Sequence, residues 1–150
     1  MSEDLELQQR RLRLKKSLKE LSDMKGMGTG LVTVVIPPEK MISDVRHQLG
    51  NEMGQAANIK SKSTKKHVTD ALESAISSLN RYKTPGEGGI AIFVGHVIVG
   101  NNKTRLTSTV IDNPPEPFSS FRYRCDSTFE ISQLEERSEE HTSELQSQPD

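Results

Sequence analysis

The chain carries a dense group of cationic and hydrogen-bonding side chains between two segments of helical periodicity, from Asn58 to His67. Its lysines are Lys60, Lys62, Lys65 and Lys66. Ammonium groups attract phosphates as point charges, and the amide and hydroxyl groups among them can hydrogen-bond to base edges. The pattern fits either the tip of a helical hairpin that contacts a polyanion or a solvated turn between two helices, since such turns also carry Lys and Ser.

A second group of side chains suited to recognition lies near the C-terminus, where Tyr123 supplies a ring with a hydroxyl and Cys125 a small, weakly polar side chain. An aromatic ring can stack on an unpaired base. The alternative is an aromatic residue of an edge strand beside a buried cysteine. We expect Phe129 to pack in the core and hold the end of that strand.

The glycine-rich loop over 25–30 precedes a strand and opens no helix, so it does not fit a dinucleotide-binding fingerprint.

No residue pattern in the chain indicates catalysis, a cofactor or a metal ion. The sequence has no Cys and His spacing typical of zinc sites, no nucleophile elbow and no paired carboxylates that stand out. His96 is interpreted as a structural or surface residue and no ligand, and His47 and His67 as surface residues. The single cysteine cannot form an internal disulfide, which predicts a reduced, cytoplasmic protein. We therefore expect recognition without enzymatic activity in this chain of 150 residues with a formal charge of −1.

Hydrophobic periodicity predicts the elements that position these groups. It predicts helices over 5–24, over 39–53 and from a turn at 54–61 to about 83, and strands over 31–36, 89–99, 104–111 and 121–125. The expected fold class is α+β, with a small mixed sheet of about four strands packed against three main helices. Two of these helices form a hairpin with Lys60 at its tip.

The motifs at these positions resemble those of the class-1 translation termination factors of eukaryotes and archaea. Residues Asn58 to Ser61 spell NIKS, and residues Tyr123 to Phe129 fit the family's YxCxxxF pattern. Gly28 to Gly30 stand where the family has a GTS tripeptide followed by a strand. The similarity runs from about residue 5 to 136, and the run from Lys62 to Lys66 looks more archaeal than eukaryotic.

The resemblance implies the N-terminal domain of such a factor, which recognises the stop codons UAA, UAG and UGA in the ribosomal A site. The residues it implies in codon recognition are Gly28, Thr29, Gly30, Glu52, Asn58, Ile59, Lys60, Ser61, Tyr123, Cys125 and Phe129. Those expected to contact RNA phosphates are Lys62, Lys65 and Lys66. The Glu52 carboxylate only accepts hydrogen bonds, so it favours bases with exocyclic amino groups such as adenine. Gly30 stands where eukaryotic members have Ser, so any hydrogen bond of that hydroxyl is absent.

The resemblance also implies partners and missing domains. The expected partners are the messenger RNA stop codon and ribosomal RNA, with no membrane. Family members have a middle domain with a GGQ loop that promotes peptidyl-tRNA hydrolysis and a third domain that binds a translational GTPase. No GGQ occurs in the sequence, so we expect this chain to bind codons without releasing peptides. Two alternatives stay open: a ribosome-rescue paralogue, and a generic α/β protein-interaction domain whose lysines are only solvated.

The end of the sequence predicts a domain boundary at residue 136. Residues 137–147 match the in-frame translation of a common sequencing adapter. We therefore expect a stop-codon recognition domain over 1–136, and over 137–150 an adapter-derived artefact that is disordered and forms no packed structure. An ordinary disordered acidic tail is the alternative.

Overall fold

The structure, a computed structural model, describes residues 2–139 and is built around a strand that is buried along its whole length. The elements are α1 (Ser2–Ser22), β1 (Leu31–Ile36), α2 (Ile42–Ala56), α3 (Lys62–Leu79), β2 (Ile90–Gly100), β3 (Lys103–Ile111), β4 (Arg122–Asp126) and α4 (Ser132–Ser138). The four strands form one sheet in the order β3-β2-β1-β4. Strand β1 is an unbroken apolar and β-branched run, which is typical of a central strand covered on both faces.

The expected α+β class, the four strands and the helical hairpin are confirmed. The strand directions differ from the mixed sheet that we expected, because every neighbouring pair is antiparallel. Two helices separate β1 from β2, and β2 runs back antiparallel to β1. A parallel pair needs a single crossover connection, and none occurs between the strands described over residues 2–139.

Two hydrophobic cores lie on the two faces of this sheet. Helices α2 and α3 cover one face, to which β1 contributes Val32 and Val34. Side chains of α1 and α4 pack with Leu31 and Val35 on the other face. This division follows from the alternation of side chains along a strand. It leaves the hairpin of α2 and α3 on one side of the sheet, with its tip beside the beginning of β1.

Helix α4 was not predicted, and it crosses the boundary expected at residue 136. Arg137 and Ser138 are buried, with 7% and 6% of their surface exposed. The Arg137 guanidinium donates to the carbonyl of Pro117 at 2.8 Å and to that of Gln133 at 3.1 Å. The expectation of an unpacked tail is therefore wrong for these two residues, because their hydrogen bonds and packing belong to the fold. The rest of the proposed tail, residues 140–150, lies outside the described residues.

Candidate nucleic-acid interface

The tip of the hairpin is a tight turn with its own capping interaction. The Ile59 N–H donates to the Ala56 carbonyl at 3.1 Å, which closes the end of α2. Ser61 is the N-cap of α3, and its hydroxyl accepts from the Thr64 N–H at 3.3 Å. A serine at this position satisfies one of the free N–H groups of the first helical turn. The NIKS segment is therefore held between two helix ends, and its backbone geometry is fixed locally.

The cations at the tip are mostly unpaired. Over residues 2–139, no carboxylate oxygen lies within 4.0 Å of the ammonium groups of Lys60, Lys62 or Lys65. Lys60 and Lys62 are exposed and Lys65 is half-buried. The Lys66 ammonium differs, because it lies 3.2 Å from the Asp70 carboxylate one turn further along α3. The tip therefore presents positive charge next to the positive end of the α3 dipole, an arrangement that favours phosphate oxygens.

The side chains of Tyr123 and Cys125 lie on the hairpin side of the sheet, in contact with the core that Ile59 also joins. The Tyr123 hydroxyl and the Cys125 sulfur are 3.0 Å apart. Burial raises the pKa of the Tyr123 phenol, and the hydrogen bond to Cys125 and the negative charge of Glu52 raise it further. Burial and the Glu52 charge likewise raise the pKa of the Cys125 thiol. Glu52 of α2 is therefore close enough to act on both side chains of β4. Ile59 of the tip packs against the same core on this side of the sheet.

The glycine-rich loop lies against the first two turns of α3. Gly28 has a φ of +78°, and a Cβ atom there would lie 3.4 Å from the Thr64 hydroxyl oxygen. A Cβ atom on the buried Gly30 would lie only 2.8 Å from the His67 Cβ, closer than atoms of this kind approach in proteins. Thr29 between them is exposed. The missing side chain at Gly30 lets the loop approach the helix, and glycine at position 28 accommodates the positive φ of the turn.

The end of β4 ties this loop to the second core. The Gly26 N–H donates to the Ser127 carbonyl at 2.8 Å. Phe129 is 6% exposed on the opposite face of the sheet, where its ring meets Phe93 edge-on with centroids 5.8 Å apart. The ring packs in the core, as the sequence analysis expected. Phe129 therefore supports the end of β4 and does not line the surface formed by the other motif residues.

One cluster was missed by the sequence analysis. The rings of His67 and His96 are stacked with centroids 4.4 Å apart, and Nε2 of His96 lies 2.9 Å from a carboxylate oxygen of Asp70. Desolvation lowers the pKa of His67, and the nearby His96 lowers it further. His67 is thus half-buried, in contrast to the surface position expected for it. Asp70 and His96 are 26 residues apart on different elements, so no local signal could have revealed the pair.

No group of three or more His, Cys, Asp or Glu side chains over residues 2–139 could hold a metal ion. Within the same residues, none of the helices combines the length and the apolar character needed to cross a bilayer.

Known proteins match most of the chain. The family model described as eRF1 domain 1 matches residues 9–139. A protein named peptide chain release factor subunit 1 from Picrophilus torridus is 46% identical over 131 residues. A relative of the same name from Methanococcoides burtonii is 50% identical over 122 residues. These alignments cover 87% and 81% of this chain but 32% and 29% of the relatives, so the chain spans about a third of their length.

Solved structures show the same similarity in three dimensions. The crystal structure of an archaeal translation termination factor, aRF1, superposes with a TM-score of 0.77 at 31% sequence identity. A second structure, described only as an archaeal protein, gives a TM-score of 0.81 at 30% identity. Both matches cover 87% of this chain, and they cover 35% and 36% of the two solved chains.

Proposed function

This chain belongs to the eRF1 domain 1 family, and on that premise we propose that it is the stop-codon recognition domain of an archaeal-type class-1 translation termination factor. Its ligand is the stop codon UAA, UAG or UGA in the ribosomal A site, and ribosomal RNA is its second partner. The observation that supports this proposal most strongly is the proximity of Glu52 on α2 to Tyr123 and Cys125 on β4. Ile59 of the tip packs against the core on the same side of the sheet, so motif residues from distant parts of the sequence share one side of the fold.

The lysines of the tip divide into two roles in this proposal. Lys60 donates to the carbonyl of the first-position uridine or to a neighbouring phosphate. Lys62 and Lys65, which have no carboxylate partner among residues 2–139, bind phosphates of the messenger or the ribosome. Lys66 contributes less, because Asp70 already shares its charge. Phosphate contacts supply affinity and register, whereas they carry no information about the codon.

We assign the recognition of adenine and guanine at the second and third codon positions to polar groups that differ in their hydrogen-bonding capacity. Glu52 accepts from exocyclic amino groups, and the hydroxyl of Thr29 both donates and accepts. The Tyr123 phenol is protonated at neutral pH, and burial raises its pKa further, so its hydroxyl can act as a donor near Glu52. A factor that accepts UAA, UAG and UGA but rejects UGG needs such adaptable groups, because a rigid complement to one purine would exclude the other.

The proposal assigns no catalytic step to this chain. In a full-length factor, a middle domain with the GGQ loop would promote peptidyl-tRNA hydrolysis, and a third domain would bind the translational GTPase. The chain itself would act in the cytoplasm by occupying the A site and distinguishing codons.

The test is a measurement of equilibrium binding of the 150-residue chain to ribosomes with a stop codon or a UGG codon in the A site, at several salt concentrations. We expect Glu52→Gln to reduce the preference for stop codons over UGG. Lys60→Ala should instead weaken binding to both ribosomes, because UGG also begins with uridine. A hydrogen bond to a charged group contributes about 1.5–3 kcal/mol, which corresponds to a loss of roughly 10- to 100-fold. Lys62→Ala should weaken binding to both ribosomes equally and reduce the salt dependence by about one unit of slope.

Matched controls come from the opposite end of the hairpin. Glu39 precedes α2 and Lys83 follows α3, and both side chains are exposed. Glu39→Gln should leave the preference for stop codons unchanged, and Lys83→Ala should leave binding to both ribosomes unchanged. Equal binding of the wild-type chain to stop- and UGG-programmed ribosomes would refute codon recognition. Binding to ribosomes regardless of codon would favour a rescue paralogue. The absence of any binding to ribosomes would favour a generic interaction domain.

A further inference from the structure

A polar network joins α3 to β2 directly behind the glycine-rich loop. The Lys66 ammonium and Nε2 of His96 lie 3.2 Å and 2.9 Å from the same oxygen of Asp70. The side chains of His96 and Asp70 are only 17% and 26% exposed. His67 stacks on the His96 ring at 4.4 Å with an angle of 26° between the planes. The network therefore connects two elements of the fold through one hydrogen bond and one ring contact.

The chemistry of the network fixes the orientation of the His96 ring. Burial alone would raise the pKa of the Asp70 carboxyl, but hydrogen bonds from His96 and Lys66 outweigh it and lower that pKa. Asp70 is consequently ionised near neutral pH and only accepts hydrogen bonds. Nε2 of His96 must carry the proton that is shared with Asp70. The ring is thus held at one edge and offers its flat face to His67.

His67 transmits this constraint to the glycine-rich loop. The His67 Cβ atom would lie 2.8 Å from a Cβ atom on Gly30, so the His67 Cβ occupies the space that a side chain at position 30 would need. Its ring points to the stack with His96. The Cβ atom of His67 is fixed to the backbone of α3, so the position of the loop depends on where this turn of α3 lies. The hydrogen bond between Asp70 and His96 and the ring stack tie the same turn of α3 to β2.

We propose that Asp70 and His96 are positioning residues that hold His67 against Gly30 and thereby set the position of the Gly28–Gly30 loop. They contact neither the codon nor the ribosome. The consequence for codon recognition rests on the function proposed above, whereas the effect on the loop does not. This separation allows the two proposals to be tested independently.

The first measurement is nuclear magnetic resonance of the 150-residue chain. We expect Asp70→Asn, which keeps the shape and removes the charge, to shift the amide resonances of residues 28–30. His96→Phe keeps a ring for the stack but removes the hydrogen bond, and it should shift the same amides. Both substitutions break the same hydrogen bond between Asp70 and His96. The loop amides of the double variant should therefore shift about as far as in the single variant with the larger shift. The imidazole ¹⁵N spectrum should report a protonated Nε2 on His96, with its hydrogen bond lost in Asp70→Asn.

The control is Glu73→Gln, which removes an exposed carboxylate from the same helix outside the network. It should leave the loop amides and the His96 spectrum unchanged. His96→Phe also keeps the test decisive if Asp70→Asn unfolds the chain, because it preserves the volume of the ring. Unchanged loop amides in a folded His96→Phe variant would overturn the proposal.

The second measurement is the preference for stop-programmed over UGG-programmed ribosomes. We expect it to fall at least several-fold in the variants that shift the loop and to be unaffected by Glu73→Gln. If the loop amides shift and the wild-type chain itself shows no preference for stop codons, the positioning role stands and the proposed function fails. If the wild type prefers stop codons and the loop amides do not shift, the proposed function stands and Asp70 and His96 have no positioning role.

Discussion

The substitution Gly30→Ala tests how closely the glycine-rich loop lies on α3. The added methyl group would lie 2.8 Å from the Cβ atom of His67, and the next atoms of that side chain would be 3.7 Å and 3.8 Å away. The conflict is therefore with the first carbon of the side chain, which is fixed to the helix backbone. A rotation of the His67 ring cannot relieve it. Either the loop or the helix must move by several tenths of an ångström.

The expected cost follows from two opposing effects. Overpacking of a well-packed site typically costs about 1–3 kcal/mol. Replacement of a glycine that has no positive φ by alanine stabilises the folded protein by about 0.4–1 kcal/mol, because it lowers the entropy of the unfolded chain. Gly30 is not among the positive-φ glycines. We therefore expect Gly30→Ala to lower the free energy of unfolding by about 1–2 kcal/mol. Gly50, in the middle of α2, has open space around it, so Gly50→Ala should raise that free energy by up to about 1 kcal/mol.

The assay is urea unfolding at pH 7.5 of single and double variants. His67→Ala keeps the Cβ atom, so the cost of Gly30→Ala should persist in that background. His67→Gly removes the atom, and the cost should nearly disappear when measured against His67→Gly alone. This double-mutant cycle cancels the cost of a glycine inside α3. A neutral effect of Gly30→Ala in the wild type, or an equal cost in the His67→Gly background, would refute the contact between the loop and the helix.

Three further predictions concern the described part of the fold. Because desolvation and then His96 lower the pKa of His67 from 6.5, the unfolded chain binds protons more readily, and urea midpoints should fall as the pH drops below about 6.5. Because burial raises the pKa of the Cys125 thiol, alkylation at pH 8 should be slow in the folded chain and fast in urea. Arg137→Ala removes the hydrogen bond to the Pro117 carbonyl and should lower the unfolding free energy by about 1.5–3 kcal/mol, measured by thermal unfolding.

Each of these predictions has its own control. The fall of the urea midpoint between pH 6.5 and 5 should be smaller in His67→Asn, and the same slope in both proteins would contradict the assignment to His67. Equal alkylation rates of the thiol with and without urea would mean that Cys125 is exposed. Arg13 on α1 is exposed, so Arg13→Ala serves as the reference for Arg137→Ala. Equal stability of these two variants would mean that the described fold ends before residue 137.

Some elements followed from local sequence with little error. The apolar run that predicted a strand over 31–36 is β1 at the same bounds, and the turn predicted over 54–61 ends at Ser61, the N-cap of α3. Helix α2 begins later than the predicted residue 39, because the chain first makes a turn in which the Lys40 N–H donates to the Pro37 carbonyl at 3.1 Å. It also continues beyond Met53 to Ala56, where the turn of the hairpin begins.

The sequence by itself determined the hydrophobic strands, the capped hairpin and the motifs that identify the family, because each depends on neighbouring residues and can be read from their order. Tertiary structure alone decided that all strand pairs are antiparallel, that α4 packs Arg137 into the fold and that Phe129 lies on the opposite face from Tyr123. It also brought Asp70 to His96 and His67 to Gly30. These contacts join residues on different elements, so they arise only when the two layers of helices close over the sheet.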